Sequence, residues 1–157
     1  MNDYLSKAAK MIINYCIDND IGTIVFGYNK IFQKSPGFTK TTNQSFVNIP
    51  FGKLQFKLKY LCELNDIKYV EQEESYTSQS SFWDKDNIPE YKVNSNQECN
   101  FSGKRTYRGM HKRNNGKRLN ADVNGALNIL RKSNVVSLGA LYSRGEVDKP
   151  VRIRVAW

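Results

Sequence analysis

The chain has 157 residues, 39% of them hydrophobic and 12% aromatic, which suits one folded domain or part of a larger one and a globular rather than a disordered protein. Its 24 basic residues against 15 acidic ones leave a net charge of +9, which points to polyanionic partners, nucleic acid first. No apolar run approaches the ~20 residues needed to cross a bilayer, and "MNDYLSKAAK" lacks the order of a signal peptide, so no membrane partner is expected and the cytoplasm is the default location.

In chain order, Leu5, Ala8, Ala9, Ile12, Ile13 and Cys16 recur at helical spacing and predict a helix from Asn2 to about Asp18. "NDIG" stops it, and "TIVFG" (23–27) reads as a short buried strand. A polar loop turning at Pro36-Gly37 leads to Pro50, which suits the first turn of a second helix over Phe51 to Leu64. "DIKYVEQ" (66–72) is a second strand, and the helix–strand–helix–strand order predicts a crossover and a parallel pair. From Trp83 to Asn100 the pattern is that of a loop. "YRGMHKRNNGKRLNAD" then predicts a hairpin turning at Asn115-Gly116. Asp122 opens a further helix, with Val123, Ala126, Leu127 and Leu130 apolar; the tail from Ser133 predicts little regular structure, and no internal repeat is visible.

Cys16 and Cys62 fall on apolar helix positions as small core residues. No C-x-x-C pair exists, so neither a zinc ribbon nor a redox pair can be read around Cys99. The lone His111 reads as an ordinary surface histidine.

Chemistry could sit in two places. Glu71, Glu73 and Glu74 crowd the end of the second strand; alone, such a triplet reads as a solvated face. Asp122 alone reads as a helix cap, because its oxygen can accept orphan backbone N–H groups. Jointly they offer carboxylates from distant segments, as Mg²⁺ sites that act on phosphates require. The third feature is basic: Lys104, Arg105, Arg108, Lys112, Arg113, Lys117 and Arg118 interleave with Tyr107 and His111. On a hairpin these can track a phosphate backbone while a ring stacks on a base, or they can be merely solvated. Arg144, Lys149, Arg152 and Arg154 add a looser patch.

The runs "IVFGYNK", "NQSFVNIPF", "EESYTSQSSFWDKDNIPEY" and "FSGKR…GKRLNADVNGALNIL", in that order between Leu5 and Lys132, resemble the C-terminal part of TnpB (OrfB) proteins of insertion sequences, in the branch without zinc cysteines. The resemblance implies an α/β fold, a partial RNase H-like (RuvC) domain over 1–132 with a mixed sheet and flanking helices, plus a basic hairpin and an irregular tail over 133–157. It implies an RNA-guided, Mg²⁺-dependent DNA endonuclease, with DNA and a guide RNA as partners. The late family aspartate matches Asp122. The family glutamate that often ends the first strand of this segment would fall on Gly27, so the relocated position before the T-S pair is expected to serve: Glu74, with Glu73 as second choice. The zinc-ribbon position, about 79–120, is reduced to Cys99, and no zinc is expected. The first-strand aspartate has no counterpart; Asp20-Ile21-Gly22 mimics its D-x-G at a helix-to-strand turn. The expectation is therefore a C-terminal segment of such an endonuclease, inactive alone. The alternatives are a non-catalytic nucleic-acid-binding protein, a regulator or partner of a full-length TnpB chain, or a decayed transposon reading frame.

Overall fold

The computed structural model describes residues 2–29, 51–90, 99–107, 109–147, 150, 151 and 153. The chain forms two compact units that meet in sequence between Glu71 and Gln72.

The first unit contains α1 (Asn2–Asp18), β1 (Thr23–Tyr28), α2 (Phe51–Leu64) and the start of β2 (Lys68–Glu73). Both helices fall within the bounds that their apolar spacing predicts. Their stripes meet in a core of Ala9, Ile13, Cys16, Leu58, Cys62 and Ile67. Cys16 and Cys62 are free and buried, as their positions require. Burial pushes both thiols up in pKa, and so away from the reactive thiolate.

Both helices stop in the same way. Asn19 donates its side-chain amide to Tyr15 O at 2.8 Å, and Asn65 donates to Leu61 O at 2.7 Å. The next residues, Asp20 and Asp66, each adopt φ of 54°. Ile21 N then reaches Cys16 O at 2.8 Å and Ile67 N reaches Cys62 O at 2.9 Å. The text C-x-x-N-D-I thus recurs at 16–21 and 62–67, a short repeat that inspection for longer periods misses. Lys68 N bonds Gly22 O at 2.9 Å, so the paired strands β1 and β2 start side by side, as a crossover connection demands.

The second unit holds an antiparallel sheet in the order β3 (Lys104–Tyr107), β4 (Met110–Lys112), β5 (Arg118–Asn120), followed by α3 (Ala121–Ser133) and α4 (Gly139–Arg144). The predicted turn at Asn115-Gly116 joins β4 to β5, closed by Arg113 N to Lys117 O at 2.8 Å with Gly116 at φ 83°. The expected hairpin is extended by β3 into a three-stranded meander. The fold is mixed α/β, with two small sheets among the described residues rather than one.

Two expectations need correction. His111 is not a surface histidine but is fully buried on β4, its Nε2 3.4 Å from Gln79 O. A three-residue strand is too short for alternation to reveal an inward position. The tail contains a helix, α4, whose Tyr142 stacks on Phe82 with centroids 4.9 Å apart and planes 10° apart. Trp83 meets both rings edge-on, at 5.2 Å from Phe82 and 6.1 Å from Tyr142. The loop at Pro36-Gly37, Pro50, most of "NQSFVNIPF", Arg108, Lys149, Arg152 and Arg154 lie outside the described residues.

Candidate carboxylate site and nucleic-acid interface

The segment after β2 is held in place by α3. Asn124 and Asn128 lie one turn apart on its buried face. Asn124 accepts from Phe82 N at 3.1 Å and donates to Ser80 O at 2.8 Å. Asn128 donates to Thr77 O at 2.9 Å and to Ser80 O at 2.6 Å. Thr77 Oγ1 in turn donates to Glu74 O at 2.7 Å. Two amides therefore read the backbone that follows Glu74, which gives the T-S run and the "NADVNGALN" run a physical connection. Sequence reading missed both residues, although a polar stripe at 120, 124 and 128 on a helix is a legible signal.

The two neighbouring glutamates have different surroundings. Glu73 Oε2 accepts from Lys132 Nζ at 2.7 Å, and its Oε1 accepts from Ser75 N at 2.6 Å. Burial alone would raise the Glu73 pKa, but the bonds from Lys132 and Ser75 outweigh it and the carboxyl is held low. Glu74 is half-buried, and its carboxylate has no hydrogen bond or ion pair among the described residues. Burial, and secondarily the Glu73 charge, push its pKa up. A half-buried carboxylate left without a cation is a group whose charge is poorly compensated.

Asp122 does not cap its helix. Asn120 is the cap, its Oδ1 accepting from Asp122 N at 2.9 Å and Val123 N at 3.1 Å. The Asp122 carboxylate is exposed in the first turn, where the helix dipole favours negative charge, and has no partner among the described residues. No three His, Cys, Asp or Glu side chains gather as a metal-holding group among the described residues.

Hydrogen bonds hold the loop after Ser81. Asp86, buried, accepts from Ser81 N at 2.7 Å, from Ser102 N at 3.0 Å and from Ser102 Oγ. Asp84 accepts from Ser81 Oγ and from Asn114 N at 3.0 Å, tying the same loop to the β4–β5 turn.

The basic sheet carries its charges in a row. Lys104 pairs in register with Lys112, and Lys112 with Arg118, so three cations share one face across three strands. His111, one residue out of phase, faces the buried side. An irregularity between Arg105 and Tyr107 re-aims this edge. Lys104, Arg105, Thr106, Tyr107, Lys112 and Arg118 line a shallow cleft of about 410 Å³. The Tyr107 ring is 68% exposed beside it. Lys117 is exposed at the turn. Arg113 points elsewhere: its guanidinium lies 4.5 Å from the Trp83 ring centre and donates to Gly145 O at 3.4 Å. Like charges directly opposite one another destabilise a sheet, so the row is a local cost that a polyanion would remove.

The fold and these sites define a mixed α/β domain that presents a cationic antiparallel sheet and a helix opening on a free carboxylate. The family model of the Cas12f1-like, TNB domain matches residues 51–129, half of the chain, and the chain belongs to that family, within the TnpB/Cas12f-like group. No curated protein matches the sequence. Among solved structures, the cryo-EM structure of a Cas12f1–sgRNA–target DNA complex is similar, with a TM-score of 0.55 at 21% identity, covering 85% of this chain and 33% of that one. The likeness is one of fold, and the chain spans about a third of the length of that Cas12f1 chain.

Proposed function

We propose that the chain is the C-terminal, RuvC-like segment of a TnpB-type, RNA-guided DNA endonuclease of a transposon, one that works with Mg²⁺, DNA and guide RNA. The observation that carries this reading is the contrast at the end of β2: Glu73 is neutralised by Lys132, while Glu74 is half-buried with a raised pKa and no partner for its carboxylate among the described residues. Asp122, relieved of capping by Asn120, is the second uncommitted carboxylate. Two hard oxygen donors suit Mg²⁺, which keeps several waters and takes its remaining ligands from substrate phosphates. When bound, Mg²⁺ would supply charge stabilisation at a reacting phosphate. The chain's own residues would hold Glu74 at the strand end through Asn124 and Asn128, and would bind phosphates through the Lys104–Lys112–Arg118 row, with Arg105, Lys117 and Tyr107 beside it. Arg108 and Arg113 belong to the same basic run, Arg113 as a support stacked on Trp83 rather than as a phosphate contact.

In this reading the segment supplies two of three catalytic carboxylates, so it binds nucleic acid without cutting it. The test is binding and nicking of labelled plasmid and oligonucleotide by the purified chain with Mg²⁺. Binding should weaken steeply with salt, and replacing the three cations of the row by Gln should flatten the duplex salt slope by about 2.7. Mg²⁺-dependent nicking abolished by Asp122→Ala would overturn the inactivity; absence of salt-sensitive binding would overturn the nucleic-acid reading. A second reading, a non-catalytic nucleic-acid-binding regulator or a partner of a full-length TnpB chain, is favoured by the cationic row itself, which is built without either carboxylate. In that case binding survives Glu74→Ala and no catalytic partner chain restores cleavage.

A further inference from the structure

The dipeptide Asn-Gly occurs twice in the chain, at 115–116 and at 124–125, in opposite settings. This pair is prone to lose ammonia without an enzyme, because glycine leaves its backbone nitrogen unshielded by a side chain and free to attack the asparagine Cγ. The attack needs a backbone that can turn, a free leaving nitrogen and a glycine nitrogen that can shed its proton.

Asn124 is denied all three. It is fully buried on α3, its Oδ1 accepts from Phe82 N at 3.1 Å and its Nδ2 donates to Ser80 O at 2.8 Å. Gly125 lies inside the hydrogen-bonded helix. Asn115 lies in the exposed turn between β4 and β5. Its Oδ1 accepts from Lys117 N at 3.0 Å, which draws electrons from Cγ, and its Nδ2 has no partner among the described residues. Gly116 N donates to Arg113 O at 3.1 Å, a single bond at a turn tip that opens locally at small cost. Lys112 and Arg118 pair in register at the base of the turn, Lys117 is exposed within it, and Lys112 Cε lies 3.9 Å from where a Cβ on Gly116 would stand. Positive charge this close favours the deprotonated glycine nitrogen and the oxyanion that its attack creates.

We propose that Asn115 is a site of spontaneous modification in the folded protein and that Asn124 is not. Gly116 N gives its proton to hydroxide or water and bonds to Asn115 Cγ. The Cγ–Nδ2 bond breaks, ammonia leaves with a proton returned by the solvent, and a five-membered succinimide closes. Water then opens the ring. Addition at Cγ gives aspartate, and addition at the main-chain carbonyl carbon gives isoaspartate, whose main chain runs through Cβ and Cγ. The net exchange is one water taken up for one ammonia released, with no change of oxidation state. Both products place a carboxylate among Lys112, Lys117 and Arg118 and offset part of their mutual repulsion. Isoaspartate also adds one carbon to a turn that Arg113 N to Lys117 O closes at 2.8 Å. The site goes beyond the nuclease reading and does not depend on it.

The test incubates the full folded chain at mildly alkaline pH and follows its peptides by mass spectrometry. The mass gain of a water-for-ammonia exchange should appear on the peptide containing Asn115. The same peptide should accept a methyl group from an isoaspartyl methyltransferase supplied with S-adenosylmethionine. Asn124 should react at least about tenfold more slowly, and the two rates should converge in urea. Asn115→Gln, which would have to close a six-membered ring, should lose both signals. Equal rates at Asn115 and Asn124 in the folded chain would overturn the proposal, because the reaction would then pass through global unfolding, which frees both. So would an Asn115 that reacts in urea and stays intact in the folded chain, because the turn would then be a shield.

Discussion

Replacing Asp86 by Asn tests whether hydrogen bonds alone hold the loop that follows Ser81. The side chain keeps its shape but loses its charge, and one of its two oxygens becomes an amide that cannot accept. Asp86 takes donors from Ser81 N, Ser102 N and Ser102 Oγ, the first two on the same oxygen. A hydrogen bond to a charged group contributes about 1.5–3 kcal/mol and a neutral one about 0.5–1.5 kcal/mol. Weakening all three and setting one donor against another should therefore cost about 2–4 kcal/mol. Urea unfolding followed by Trp83 fluorescence, in a Trp157→Phe background, reads the loop directly because Trp83 lies within it. The midpoint should fall with no change in m-value, and EDTA should leave the parent curve where it is. A loss under about 0.5 kcal/mol would refute the reasoning, and a chelator effect would show that a metal, not the carboxylate, holds the loop.

Glu74→Gln should stabilise the chain at pH 7 in EDTA. The folded carboxyl has a raised pKa, so its ionisation opposes folding as pH rises, and the advantage of Gln should vanish below about 4.5. Lys132→Met should act in the opposite sense, costing about 1–3 kcal/mol at neutral pH as a partly buried pair is broken. Because the Glu73 pKa is lowered in the folded state, its contribution is present above about 4.5 and is lost as pH falls through the lower folded value, so thermal melts of the Met variant should show a flatter acid limb. Gly103→Ala should lower the melting midpoint by the equivalent of about 1–3 kcal/mol, since a Cβ there would meet His111 Cε1 at 2.4 Å and Lys112 O at 2.8 Å. An unshifted melt would mean that this corner of the sheet can open to admit a methyl group.

The helices α1, α2 and α3 were legible because their apolar residues repeat over three to four turns, whereas the six residues of α4 are too few to show a period. The strand β3 was not: "KRTY" has four residues and one partly buried position, and no period can be read from that. The candidate site was legible in its residue types but not in its assignments. Asn120 and Asp122 are both good caps two positions apart, and only the backbone geometry of Asn120, extended at ψ 132°, decides between them. The state of Glu73 depends on Lys132, 59 positions away, and a long-range ion pair leaves no local pattern. Arg113 looks like its basic neighbours in sequence, yet Trp83 and Gly145 claim it.

The matching helix stops at Asn19-Asp20 and Asn65-Asp66 have a consequence for the carboxylates. Each stop launches its strand from a fixed point, Ile21 or Ile67, so the phase of β1 and β2 is counted from the nearest helix and not along the whole chain. Insertions between Tyr28 and Phe51 can then alter length without passing an error into β2. That protection matters at its far end, where a slip of one residue would exchange Glu73 with Glu74. The Asn–Asp pair works as a phase lock: it decides which glutamate Lys132 neutralises and which one stays free.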